Sequence, residues 1–109
     1  MKLIADSGGT KTDWAVIADD GLSEIRTSGI NPIHQSKDEI RKILADELLP
    51  YVKSDNISDV FFYGSGCRGS FVAEMKSLFQ ELFSVAENVE IDSDLLRLAR
   101  GELDLGPAR

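Results

Sequence analysis

Short apolar runs at the start of the chain predict three strands. Residues 3–5 are apolar and end at an acidic residue and a glycine pair, which indicates a buried strand. Residues 12–18 are rich in β-branched and aromatic side chains and predict a second strand. An Asp-Asp-Gly turn at 19–21 predicts a hairpin, so that residues 23–28 return as the third strand of an antiparallel meander.

Apolar positions at helical spacing follow the loop at 29–32. Ser36 and Glu39 have the spacing of a capping box, which predicts a helix that begins there. Pro50 is expected to kink or end this helix. Its apolar positions are Ile40, Ile43, Leu44, Leu48, Tyr51 and Val52.

The second half of the chain alternates between strand-like and helix-like patterns of apolar residues. Residues 60–63 are continuously apolar and predict a strand in the middle of a sheet. A second amphipathic helix is predicted over 71–83, a fifth strand over 89–92, and a third helix over 94–100 that Gly101 ends. The order β-β-β-α-β-α-β-α predicts an α/β fold: a mixed five-stranded sheet with helices on its faces.

Composition narrows the classes of partner. The 109 residues carry a net charge of −7, which disfavours nucleic-acid binding but still allows a small phosphate ligand on main-chain N–H groups. The lone cysteine fits a cytoplasmic protein, and no apolar run is long enough to span a membrane. We expect one domain over residues 1–100 and a short polar tail over 101–109.

The most informative motif is the turn between the first two strands. Gly8 and Gly9 would let the main chain approach an anion, and Asp6 before them could hold hydrated Mg²⁺. A carboxylate at the end of a buried strand is expected to have a partner. The segment from Thr10 to Thr12 adds two hydroxyls and the Lys11 ammonium. The alternative is an ordinary glycine-rich hairpin; the Gly-Lys-Ser/Thr of a Walker A loop is not present.

The segment Asp-Ser-Gly-Gly-Thr-Lys-Thr-Asp-Trp at 6–14 resembles the first phosphate motif of the actin/hexokinase/Hsp70 superfamily. Within it, the chain is most similar to the BadF/BadG-type ATPase and N-acetylglucosamine kinase group. The resemblance continues at 27–32, 62–67 and 91–96 and spans residues 1 to about 100. It implies a ribonuclease-H-like (actin-like ATPase) domain, with ATP and Mg²⁺ as cofactors.

The resemblance also assigns roles to residues. It implies that Asp6 lies near Mg²⁺ and that the turn at 8–12 touches the phosphates: Gly8, Gly9, Thr10 and Lys11 by the family match, with Thr12 beside them. It implies that Asn31 contacts the sugar, that the loop with Ser65 and Gly66 lines the sugar cleft, and that Asp94 accepts the proton of the attacking hydroxyl. From the pattern alone Asp94 could instead be a helix-terminal residue, and Asp92 is a rival candidate for the base.

The function that the resemblance implies is the N-terminal half of an ATP-dependent kinase that phosphorylates N-acetylglucosamine or a related amino sugar. The second domain of this superfamily, with its own phosphate motif, has no counterpart here, so we expect the chain alone to be inactive and its exposed inter-domain face to favour a homodimer. Two alternatives remain open: an ATPase that activates a 2-hydroxyacyl-CoA dehydratase or benzoyl-CoA reductase, and a non-catalytic sensor of sugar or nucleotide.

A competing motif lies at 64–69, where Gly-Ser-Gly-Cys-Arg-Gly fits the G-x-G-x-x-G fingerprint of dinucleotide-binding folds. It follows a predicted strand, and Asp92 lies at a suitable distance. That fingerprint normally occupies the first β-α-β unit of its domain, whereas a meander precedes it here. His34 is expected to be a solvated loop residue, Cys67 an unreactive thiol that faces the cleft, and Trp14 a packing residue.

Overall fold

A computed structural model describes residues 1–93 as a sheet with two α-helices. The strands are β1 (Lys2–Ser7), β2 (Lys11–Ala18), β3 (Gly21–Ser28), β4 (Asp59–Gly64) and β5 (Asn88–Asp92). The helices are α1 (Lys37–Ile43), which continues into a π-helical turn over Leu44–Leu48, and α2 (Ser70–Leu82); a 3₁₀ turn at Ser54–Asn56 precedes β4. The predicted third helix at 94–100 and the tail at 101–109 lie outside the described residues.

The predicted mixed sheet is confirmed. Its strand order is β3-β2-β1-β4-β5. The meander pairs are antiparallel, whereas β1 pairs with β4 and β4 with β5 in parallel. Strands β1, β3, β4 and β5 therefore all end at the same edge of the sheet, which we call the carboxyl edge.

The two faces of the sheet differ because side chains alternate along each strand. On β1, Leu3 and Ala5 belong to the main core, whereas Ile4 belongs to a small cluster with Phe61 and Tyr63. By the same alternation Ser7 lies on the main-core face and is buried, and Asp6 lies on the opposite face and is exposed. The end of one strand thus sends two polar side chains in opposite directions.

Four aromatic rings form the centre of the main core. Trp14 and Phe62, from β2 and β4, each pack against Phe79 of α2, with ring centroids 6.1 and 5.3 Å away. Phe83 stacks on Phe79 from the end of the helix. The predicted packing role of Trp14 is confirmed, and its indole Nε1 donates to the Thr27 hydroxyl at 2.9 Å. These contacts fix α2 over the sheet.

The predicted capping box of α1 is confirmed. The Glu39 N–H donates to the Ser36 hydroxyl at 3.1 Å, and the Ser36 N–H donates to the Glu39 carboxylate at 2.9 Å. The helical stretch ends before Pro50, as predicted. The assignment of Tyr51 to the apolar helix face was wrong, because the chain turns after the proline and leaves this side chain 74% exposed.

Candidate functional site

The turn between β1 and β2 is an exposed hairpin at the carboxyl edge. The Gly8 N–H donates to the Lys11 carbonyl at 2.9 Å and closes the turn. Gly9, Thr10 and Lys11 are exposed. Within residues 1–93, the N–H groups of Gly9 and Thr10 have no acceptor. These two amides can therefore donate to an anion, whereas the Gly8 amide is occupied by the turn itself.

The space beside the turn fits the close approach of an anion. A Cβ atom on Gly9 would have no heavy atom within 4 Å, and one on Gly8 would only reach the Lys11 carbonyl oxygen at 3.6 Å. Both residues also lack positive φ angles. Neither the backbone conformation nor internal packing thus requires these two glycines, and their missing side chains leave the main chain open to solvent.

Asp6 lies beside the turn but has no buried partner, contrary to the sequence expectation. Its carboxylate is exposed because strand alternation places it on the face opposite the main core. It stands directly across from Asp13 of β2. Arg26 of β3 forms an ion pair of 2.7 Å with Asp13, so the exposed Asp6 carboxylate is the member of this acidic pair that has no ion-pair partner within residues 1–93.

Thr12 differs from the other predicted phosphate contacts, because its side chain is fully buried. Its hydroxyl lies 2.8 Å from the Ser7 hydroxyl and 3.1 Å from the Ser28 carbonyl oxygen. This geometry does not favour the predicted direct contact of Thr12 with phosphate. Its β-strand position turns the side chain towards the core, where it holds the base of the turn.

Gly29 is a site residue that our residue assignments missed. Its N–H donates to the Thr10 carbonyl at 3.1 Å. A Cβ atom at Gly29 would lie 2.7 Å from the Gly9 carbonyl oxygen and 2.9 Å from that of Gly8. Only glycine lets the segment after β3 pass this close to the turn. The signal was present in the resemblance at 27–32, but a glycine in a loop has many ordinary explanations.

Of the three predicted sugar contacts, the structure brings Asn31 and Gly66 into direct contact. Gly66, with a φ of +84°, packs so closely on Asn31 that a Cβ atom there would overlap the Asn31 Oδ1 atom. Asn31 Oδ1 accepts from the Ile33 N–H at 2.9 Å, which leaves its Nδ2 group without an acceptor within residues 1–93. Ser65 is exposed beside Gly66. Asn31 and Ser65 therefore present polar groups at the carboxyl edge.

The loop at 64–69 differs from a dinucleotide fingerprint in its place in the fold. It follows β4, which lies beside β1 in a mixed sheet, whereas the fingerprint belongs to a doubly wound parallel sheet. A Cβ atom at the third glycine, Gly69, would have no heavy atom within 4 Å. The close helix–strand packing for which the fingerprint needs that glycine is missing here.

Three candidates remain: Cys67, His34 and Asp94. Cys67 is buried, and this burial, together with the nearby Asp92 carboxylate, raises the pKa of its thiol to about 11. Burial and the raised pKa agree with the expectation of an unreactive thiol, but the side chain is enclosed and does not face an open cleft, contrary to the expectation. His34 is exposed, as expected. Asp94 lies outside the described residues.

Three comparisons with known proteins bear on this site. No family model matches the chain, and no curated protein matches it. Among solved structures, the chain is similar to the "Putative N-acetylglucosamine Kinase" from Porphyromonas gingivalis, with 34% sequence identity and a TM-score of 0.83. The match covers 93% of this chain and 38% of that protein.

The match confirms the predicted resemblance on its N-acetylglucosamine kinase side, and it confirms the ribonuclease-H-like, actin-like ATPase fold. More than half of the neighbour has no counterpart in this chain. Within residues 1–93, no helix is long and apolar enough to cross a membrane.

Proposed function

We propose that this chain is the domain of an ATP-dependent amino-sugar kinase that carries the first phosphate-binding turn and a sugar-binding loop. The coarser part of this statement, a domain of the sugar-kinase fold, rests on the similarity reported above. The substrate and the activity of a complete enzyme are our proposal. The observation that carries it is the exposed turn at 8–11, which lies against the segment that leads directly to Asn31.

In this proposal the turn binds the phosphates of ATP. The free N–H groups of Gly9 and Thr10 donate to phosphate oxygens, and the Lys11 ammonium adds a positive charge. Asp6 holds the Mg²⁺ ion through its waters, since Mg²⁺ keeps most of its hydration shell in proteins. ATP, when bound, supplies the phosphoryl group. Positioning and charge neutralisation are the main requirements of phosphoryl transfer, and this turn can provide both.

The sugar lies between the Asn31 and Ser65 loops at the same edge. The free Nδ2 group of Asn31 can donate to a sugar hydroxyl, and the exposed Ser65 can donate or accept. Carboxyl edges of α/β sheets are the usual place for such ligands. In this proposal the hydroxyl to be phosphorylated lies at the same edge of the sheet as the turn that holds the phosphates.

A base must accept the proton of the attacking hydroxyl, and we propose Asp94 for this role. Asp92, the last residue of β5, is the competing candidate. A general base contributes about 10²- to 10⁴-fold to such a reaction. Replacement of the correct carboxylate should therefore lower kcat by about 10²-fold or more while ATP binding stays nearly unchanged.

The test is a chimera in which this chain replaces the matched segment of the Porphyromonas gingivalis protein. Phosphotransfer from ATP to N-acetylglucosamine is measured for the parent, the chimera, and chimeras with Asp94→Asn or Asp92→Asn. We expect an active chimera, a loss of kcat with Asp94→Asn at unchanged KM for ATP, and a smaller effect of Asp92→Asn.

The outcomes separate the parts of the proposal. An active parent with an inactive but folded chimera would contradict the kinase function of this chain. An active chimera that keeps full turnover with Asp94→Asn would refute Asp94 as the base. Activity on glucosamine but not on N-acetylglucosamine would retain the kinase and correct the sugar.

A further inference from the structure

Residues 28–31 form a segment whose main-chain polar groups are all hydrogen-bonded within the chain. We call these four residues the connector. Their partners lie on three sides: the base of the turn, the end of the first helical stretch, and Gln35 with His34 after the connector. The contacts are made by Ser7, Thr10, Thr12, Thr27, His34, Gln35 and Glu47.

At the turn, the connector is held mainly by Ser7. The Ile30 N–H donates to the Ser7 hydroxyl at 3.0 Å, and this hydroxyl lies 2.9 Å from the Ile30 carbonyl oxygen. Ser7 and Ile30 are both buried. Since each hydroxyl carries one hydrogen, Ser7 can donate to Ile30 while it accepts from Thr12, and the Ser28 carbonyl then accepts from the Thr27 hydroxyl. One side chain thus satisfies both main-chain groups of a buried residue.

At the sugar side, the connector is held by Gln35. The Asn31 N–H donates to the Gln35 Oε1 atom at 2.7 Å, and the Gln35 Nε2 group donates to the Gly29 carbonyl at 3.1 Å. The Ser28 N–H donates to the Glu47 carboxylate at 2.8 Å. These bonds leave the connector little freedom to move unless the turn moves with it.

We propose that the connector couples the phosphate turn to Asn31, with Ser7 and Gln35 as positioning residues. This inference rests on the proposed function, because it needs a ligand at the turn. A ligand that fixes Gly9 and Thr10 would fix Gly29 through the Thr10 carbonyl and through direct contact, and then Asn31 through Ile30 and Gln35. Such coupling is reciprocal, so a sugar at Asn31 would also favour nucleotide at the turn.

The experiment follows main-chain amide signals of the ¹⁵N-labelled 109-residue chain during titration with MgATP. In the unmodified chain we expect shifts at Gly9 and Thr10 and further shifts at 29–31. With Ser7→Ala, the shifts at the turn and at Gly29 remain, because Gly29 contacts the turn directly, and those at 30 and 31 are lost. With Gln35→Met, which alters a half-buried side chain and should fold even if Ser7→Ala does not, only the Asn31 shift is lost.

Two further variants separate coupling from general loosening. Ser58→Ala also removes a hydroxyl, one that lies within hydrogen-bond distance of two acceptors, but at the opposite edge of the sheet, and it should leave all of the shifts unchanged. Thr12→Ser keeps the hydroxyl that faces Ser7 and should behave like the unmodified chain.

The outcomes are distinct for the two proposals. Absence of shifts at Gly9 and Thr10 in the unmodified chain at millimolar MgATP would contradict the proposed nucleotide site. Shifts at the turn without shifts at 30 and 31, or a shift at Asn31 that survives both Ser7→Ala and Gln35→Met, would overturn the coupling and leave the nucleotide site intact.

Discussion

The main core and the carboxyl edge of this domain are held together by different forces. The core is apolar, and the rings of Trp14, Phe62 and Phe79 pack against one another between the sheet and α2. The carboxyl edge is built from glycines and polar side chains, and its contacts are hydrogen bonds and close approaches of the main chain. Burial of apolar surface is non-directional, whereas the contacts at the edge depend on single atoms at fixed positions.

This difference separates stability from placement. A core of this kind tolerates rearrangement as long as apolar volume is kept. A Cβ atom added at Gly29 would lie 2.7 Å from a carbonyl oxygen, so the carboxyl edge tolerates no extra atom at this position. We therefore expect core substitutions to change the free energy of unfolding and edge substitutions to change the response of the turn to its ligand.

The largest effect is expected from Phe79→Ala. Phe79 is fully buried and contacts three other aromatic rings, so its truncation should lower the free energy of unfolding by about 3–5 kcal/mol. Urea unfolding measures this change, with Phe79→Leu as the milder control. At low urea the remaining folded protein should still show the MgATP shifts at Gly9 and Thr10. Loss of those shifts from folded Phe79→Ala protein would contradict the idea that the core determines stability and the carboxyl edge determines the response to ligand.

A smaller effect on stability and a larger one on the turn are expected from Gly29→Ala. The added methyl group would collide with the main chain of Gly8 and Gly9, which cannot rotate away as a side chain can. We expect a loss of about 1–3 kcal/mol in the free energy of unfolding and loss of the MgATP response at the turn.

Gly9→Ala is the matched control for Gly29→Ala, because a Cβ there has open space in the free chain. It should leave the free energy of unfolding nearly unchanged and weaken MgATP binding, since the methyl group occupies the space that the ligand needs. Equal destabilisation by the two alanines would show that the close approach at Gly29 is not what shapes the turn.

The fold was predictable because its signals are local or periodic. The capping box at Ser36 and Glu39 was found from two residues three positions apart, and both of its hydrogen bonds are present. The five strands were found from apolar runs and turn residues. Tyr51 was misassigned because its position fits the helical spacing, although Pro50 has already ended the helix.

The site was predictable only in part, because its key contacts join distant parts of the sequence. Gly8 and Gly9 are recognisable as a pair, but nothing local distinguishes Gly29, whose importance comes from a contact 20 residues away. The burial of Thr12 and the exposure of Asp6 depend on which face of the sheet the helices cover. Strand alternation predicts that the two side chains point to opposite faces, but the covered face is decided by tertiary packing.

The smallest effect, and one of opposite sign, is expected from Asp6→Asn. Asp6 and Asp13 are like charges directly across an antiparallel pair, which is an unfavourable arrangement. Asp13 is compensated by Arg26, whereas Asp6 is exposed beside the turn. Removal of the Asp6 charge should therefore raise the free energy of unfolding by about 0.5 kcal/mol in the free chain.

The same substitution should cost function. If Asp6 holds hydrated Mg²⁺, the unmodified chain binds ATP more tightly with Mg²⁺ than with a chelator, and Asp6→Asn abolishes this difference. Asp13→Asn removes the same charge from the pair but also breaks the ion pair with Arg26, so it should keep the Mg²⁺ dependence without the gain in stability. Metal binding would then explain why the chain carries a carboxylate at position 6 that destabilises the free domain. An Asp6→Asn chain that keeps its Mg²⁺ dependence would contradict this explanation.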